Sequence, residues 1–138
     1  MKYLTKEWYN AMQLYARAEG MYQEAKEKQI IPDKLERLFD LHDAELTKHE
    51  TIGSDIKMTL IGGGTYELLI KNAKVIEDEI SDSSDDILFL NYELYNTPTG
   101  YNFHMMFWGN NNALYYYTLD CSDIDFSYSA PPDTEIIL

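Results

Sequence analysis

Apolar residues in the first part of the chain recur at steps of three and four. Leu4, Trp8, Met12, Tyr15, Ala18, Tyr22 and Ala25 form one stripe, the spacing of an amphipathic helix. The stripe predicts a helix over residues 5–28. Thr5 suits its N-cap, and Glu7 lies in the first turn, where negative charge complements the helix dipole. Lys26 and Lys28 sit at the end that favours positive charge, and Gly20 marks a bend or a close contact. Pro32 then suits the first turn of a second, shorter helix, because its missing N–H would be unpaired there anyway. Leu35, Leu38, Phe39 and Leu41 supply the buried face of that helix.

From Ala44 the period changes to two. Ile56, Met58 and Leu60 alternate with Lys57 and Thr59; the run Gly62, Gly63, Gly64 breaks the chain; Tyr66, Leu68 and Ile70 begin again. Residues 87–95 are apolar on both faces, which suits a central strand covered on both sides. Residues 97–100 (TPTG) and 109–112 (GNNN) are turn signals. Strands follow over 101–107, 114–119 and 124–128. Strands this close in sequence, joined by short loops, pair antiparallel. The predicted architecture is α+β, with one or two N-terminal helices packed on an antiparallel meander sheet of about six or seven strands. It forms a single domain over 1–138, with the helical part at 1–42 and the sheet at 44–130. Residues 77–86 (EDEISDSSDD) form the one biased segment and predict a mobile, charged loop.

Composition narrows the class. A chain of 138 residues that is 45% hydrophobic and 14% aromatic has enough apolar material for a core and is not a disordered acidic tail. No stretch approaches the run of about 18 apolar residues that spans a bilayer, and the opening MKYLTKEWYN has no apolar segment behind its lysine. Cys121 is the only cysteine, which excludes an intrachain disulfide and a Cys-rich zinc site. These features point to a cytoplasmic protein.

Charge changes the picture more. All 11 basic residues lie between Lys2 and Lys74, whereas the 64 residues after Lys74 carry 12 acids and no Lys or Arg. A half this acidic repels phosphate and anionic lipid, so nucleic acid and membrane surfaces are poor partners and a basic protein is a good one. The bland alternative is that acidity serves solubility. Tyrosine is the other recurrent feature: Tyr92, Tyr95, Tyr101, Tyr115, Tyr116, Tyr117 and Tyr128 all fall on the C-terminal strands. Tyr115 and Tyr117 share one face. A sheet face showing tyrosine beside carboxylates suits recognition of Lys and Arg, although tyrosine also favours strands for packing alone. The candidate partner-binding residues are therefore Glu77, Asp78, Glu79, Asp82, Asp85, Asp86, Tyr115 and Tyr117.

Catalytic and metal chemistry finds weaker support. The tandem His42-Asp43 resembles the metal pair of phosphohydrolases, but no His precedes it. A cluster of His42, Glu45 and His49 would need residues that a strand points to opposite faces. His42 and Asp43 read better as a structural junction, bonding backbone groups where helix gives way to strand. Gly62, Gly63, Gly64 and Thr65 lack the phosphate-loop lysine and a following helix, so they read as a flexible hairpin loop. Cys121 with His104 could be a nucleophile and base but has no local signature. Asp120, Asp123 and Asp125 resemble part of a calcium loop without its Gly and Glu. No cofactor, metal ligand or catalytic residue is assigned.

Residues 1–9 (MKYLTKEWY) resemble a family of uncharacterised bacterial proteins that open MKYFTKEWY or close to it. In that family a helical N-terminus leads to a motif like F-H-D and then to alternating strands. Leu41-His42-Asp43-Ala44-Glu45-Leu46 and the stretch from Asp55 to Leu60 match that pattern, with Leu41 where an aromatic is usual. The family has no assigned function, so the resemblance implies a fold and a bacterial source but no catalytic residue or ligand. The His-Asp-then-strand pattern is also similar to that of small proteins guarding against bacterial toxins.

Three functions follow as expectations. The first is a non-enzymatic interaction module, such as an immunity-type inhibitor of a basic partner. The second is a ligand-binding protein or enzyme with a pocket inside a curved sheet, near His104. The third is a self-associating structural protein, a homodimer closed by the tyrosine face.

Overall fold

The computed structural model describes residues 2, 4–12, 29, 31–81, 83 and 86–131. Most of the long predicted helix, including Tyr15, Gly20, Lys26 and Lys28, lies outside the described residues. Its beginning is α1, Lys6–Met12. Thr5 caps it as expected, its hydroxyl oxygen accepting the Trp8 N–H at 3.1 Å.

The second helix is a 3₁₀ helix over Asp33–Leu41, with Pro32 as its N-cap. Leu35, Leu38 and Leu41 are fully buried and lie three residues apart, the period of a 3₁₀ turn. Phe39, expected on the buried face, is 62% exposed. An α-helical period of 3.6 would have turned it inward beside Leu35; a period of three turns it out.

The rest is an antiparallel sheet of eight strands: β1 (Glu45–Ile52), β2 (Asp55–Ile61), β3 (Thr65–Lys71), β4 (Lys74–Asp78), β5 (Leu88–Thr97), β6 (Gly100–Trp108), β7 (Leu114–Cys121) and β8 (Asp123–Ser129). With the short helices this is α+β in the broad sense, but the sheet is not a single meander. Its order is β4-β7-β6-β5-β1-β2-β3-β8. Strands β1–β3 and β5–β7 are each meanders; β4 and β8 leave their own meander and pair across to the other.

The reason lies at one bend. Lys71 of β3 faces Asp123 of β8, and Lys74 of β4 faces Asp120 of β7. No residue is gained or lost between, so β3–β4 and β7–β8 are one long antiparallel ribbon. The ribbon folds at Asn72 and Ser122. Asn72 has φ +50°, a left-handed conformation that Asn tolerates better than most residues. Its amide Nδ2 donates to Ser122 Oγ at 2.9 Å, and its backbone N–H donates to Asp55 Oδ1 at 3.0 Å. Core-facing positions switch parity at the fold. Tyr66, Leu68, Ile70, Ile124 and Phe126 face inward before it, and Ala73, Cys121, Leu119 and Tyr117 beyond it. The sheet thus curls round one core and is closed on itself by this shared ribbon. A single backbone pair, Glu45 with Leu88, joins β1 to β5.

Strand β5 is covered on both sides, as its apolar pattern predicts. Phe89 and Leu94 face the core, and Glu93 on the outer side is also wholly buried. The N-terminal segment covers that outer face, where Leu4 and Trp8 are buried. Among the described residues no helix is long and apolar enough to cross a membrane.

Candidate interaction surface

Strand β4 stands apart from the other seven. All five of its residues are exposed, and as one of the two end strands of the order it pairs, among the described residues, on one side only, with β7. Val75 is 41% and Ile76 54% exposed. A bulge at Ile76 shifts the register between the Val75–Leu119 and Glu77–Thr118 pairs. Beyond it the chain turns at Asp78. Oδ1 of Asp78 accepts the Ile80 and Ser81 N–H groups at 3.0 and 2.8 Å, and its other oxygen accepts the Ser81 hydroxyl. Burial opposes ionisation of Asp78, yet these hydrogen bonds hold its carboxyl below the usual range. Ile80 is buried and anchors the turn. Residues 77–81 of the predicted mobile loop are strand and turn.

The partner-binding candidates fall in different places. Glu77 and Asp86 are exposed. Asp78 holds the turn. Glu79 accepts the Tyr116 N–H and the Lys6 ammonium, each at 2.7 Å, and these contacts outweigh burial to hold its carboxyl low. Asp82 and Asp85 lie outside the described residues. Tyr115 is half-buried against the core. Tyr117, expected on a partner-facing surface, is 1% exposed. Its hydroxyl lies 2.8 Å from Nε2 of His49 on β1, across the interior. Burial, with Asp78 adding, pushes the Tyr117 phenol up to about 12. Tyr115 and Tyr117 do share a face, but it is the inner one. The outward tyrosine is Tyr116, with the Lys6 ammonium 4.6 Å above its ring.

The carboxylates of the acidic half are also less isolated than their sequence suggests. Lysines from the first half reach four of the ion pairs: Lys6 with Glu79, Lys34 with Asp123 and Asp125, and Lys71 with Asp125. Glu93 is buried on the outer face, accepting backbone N–H groups from Lys2 at 2.9 Å and Leu4 at 2.6 Å, and the Tyr95 hydroxyl at 2.5 Å. Among the described residues, Glu77 on β4 is an exposed carboxylate with no ion pair.

The remaining candidates lie in different places. His42 Nδ1 lies 2.7 Å from the Leu90 carbonyl, and the Asp43 N–H donates to the Phe89 carbonyl at 2.8 Å. Both bind backbone where helix gives way to strand. His49 faces Tyr117 rather than His42 or Glu45, and among the described residues no three His, Cys, Asp or Glu side chains gather to hold a metal. Cys121 and His104 lie on opposite sides of the sheet. Cys121 is buried in the core, and burial pushes its thiol up to about 11. His104 faces outward beside Asn102 and Thr118. Asp123 and Asp125 are taken up by lysines, and Asp120 accepts the Asn102 amide at 2.9 Å. The glycine run is a tight hairpin between β2 and β3. A Cβ at Gly64, which has φ +144°, would lie 2.5 Å from the Tyr128 ring.

No protein-family model, no curated protein and no solved structure matches the chain.

Proposed function

We propose that this chain is a non-enzymatic protein-interaction module whose contact strip is β4 with the turn that follows. The supporting observation is a sheet edge that has no partner strand among the described residues, is exposed along its whole length and carries Val75 and Ile76. Proteins commonly blunt such edges because an exposed edge templates pairing with another chain. A strand added here would gain main-chain hydrogen bonds, with side-chain contacts selecting the partner. Glu77 on the strip and the net charge of −13 favour a basic partner and speed its approach. An immunity-type inhibitor of a basic protein in the bacterial cytoplasm is the biological role that suits these features.

The test is capture from lysate with wild type and Ile76→Lys, followed by titration with the purified partner. Ile76 is exposed, so the variant keeps its fold. We expect a basic protein whose affinity falls at least tenfold in the variant and weakens between about 0.05 and 0.5 M salt. Equal affinity for wild type and variant would remove β4 as the contact strip.

A further inference from the structure

At the end of the ribbon remote from β4, a cavity of about 220 Å³ opens between the 3₁₀ helix and strands β3 and β8. It is smaller than the roughly 300–1,000 Å³ of drug-sized sites, so it suits a group the size of a side chain. One wall is aromatic. Tyr66 and Phe126 lie parallel with centroids 5.8 Å apart, and Tyr128 tilts against Tyr66 at 4.8 Å. These rings are on the core-facing side of the ribbon, at the point where the core ends. Tyr128 is 41% exposed. Its hydroxyl donates to the Gly63 carbonyl at 2.8 Å, which fixes the ring at the rim.

The other wall is the charged side of the 3₁₀ helix. Its two cations are already committed. Lys34 lies 2.6 Å from Asp123, and Arg37 reaches Asp40 through Nε at 2.7 Å and through its terminal nitrogen at 2.6 Å. Asp33 and Glu36 also line the cavity, are exposed, and have no ion pair among the described residues. The charge left unneutralised at this mouth is therefore negative, and the same cavity is lined by Tyr66, Phe126 and the exposed Tyr128.

We propose that this mouth binds an organic cation of delocalised or alkylated charge, a guanidinium or a quaternary ammonium group. Such cations are weakly hydrated, so they gain most from aromatic faces, and the two carboxylates supply the countercharge. A bare metal ion would gain little from the rings. The site is independent of β4, since the two lie at opposite ends of the ribbon.

Two probes distinguish the sources of such a group: N-acetylarginine methylamide for a partner's side chain, and choline for a free small molecule. Each is titrated against full-length protein while the Tyr and Phe ring resonances are followed by NMR, with the citrulline analogue as neutral control. Saturable shifts at Tyr128, Tyr66 and Phe126 with at least one cation, and none with citrulline, are expected. Asp33→Asn with Glu36→Gln should weaken binding about fivefold or more, and Tyr128→Leu should erase the preference for the cation over citrulline. Shifts that do not saturate, that citrulline reproduces, or that survive the double carboxylate variant unchanged would overturn the proposal.

Discussion

His104 shows how a histidine can be structural on a surface that looks polar. It faces Glu93 across β5–β6 and Thr118 across β6–β7. Nε2 lies 2.5 Å from Asn102 Oδ1, and Asn102 passes its amide to Asp120. Nδ1 lies 3.4 Å from the Thr118 hydroxyl. A neutral ring donating through Nε2 and accepting through Nδ1 satisfies this chain. Burial, with the Lys2 charge adding, holds the imidazole down at about 4 against an ordinary 6.5; Glu93 and Asp120 pull the other way without prevailing. The unfolded chain thus binds this proton first as pH falls. The stabilisation is complete above 6.5 and is lost as pH falls through 4. At 1.36 kcal/mol per pH unit, and discounting for the part of the ring that solvent reaches, the loss is about 2 kcal/mol. Urea melts at pH 7 and pH 4 should show wild type losing about that much more than His104→Gln. An equal loss in both would show that the ring does not control acid stability. None of this was legible in the sequence. Alternation places His104 and Thr118 on one face each, but does not say that both are the outer face, or that the N-terminal segment comes back to cover it.

At the scale of elements, legibility followed burial. Strands β2, β3, β6 and β7 carry alternating or continuous apolar residues and read directly. Strand β4 (KVIED) is exposed throughout, so it has no alternation to report and merges into the acidic run after it. Strand β1 (ELTKHETI) is mostly exposed too. The bend at Asn72 left no signature beyond an Asn between two strands, although it decides the topology. The 3₁₀ helix allows a direct test of period. Leu38 is fully buried whereas Phe39 is 62% exposed. Leu38→Ala should cost about 2–4 kcal/mol in chemical denaturation, while Phe39→Ser should stay within about 0.5 kcal/mol. Comparable losses at the two positions would return the helix to an α-helical period. Within the proposed contact strip, the acids are visible in the sequence as a run, whereas Val75 and Ile76 carry no signal, because two apolar residues beside a run of charge look like any short strand.

For the molecule as a whole, charge that is segregated along the chain is mixed in space. The ribbon that closes the sheet brings Asp123 and Asp125 beside Lys34 and Lys71, and α1 brings Lys6 to Glu79. The sequence order of charges therefore overstates any single acidic patch, yet it does not change the total. The 24 acids outnumber the 11 bases, so repulsion across the surface persists however the lysines are placed. Salt acts differently on the two contributions. The Debye length is about 10 Å at 0.1 M, far longer than a contact ion pair and shorter than most distances across a domain. Screening should therefore relieve the long-range repulsion while leaving close pairs largely intact. Raising NaCl from about 0.02 to 0.2 M should raise Tm by about 2–5 °C, read by circular dichroism. A fall in Tm would mean that the cross-chain pairs outweigh the repulsion. The acidic half would then be held in place by lysines from the first half, leaving less negative potential to draw a basic partner to β4.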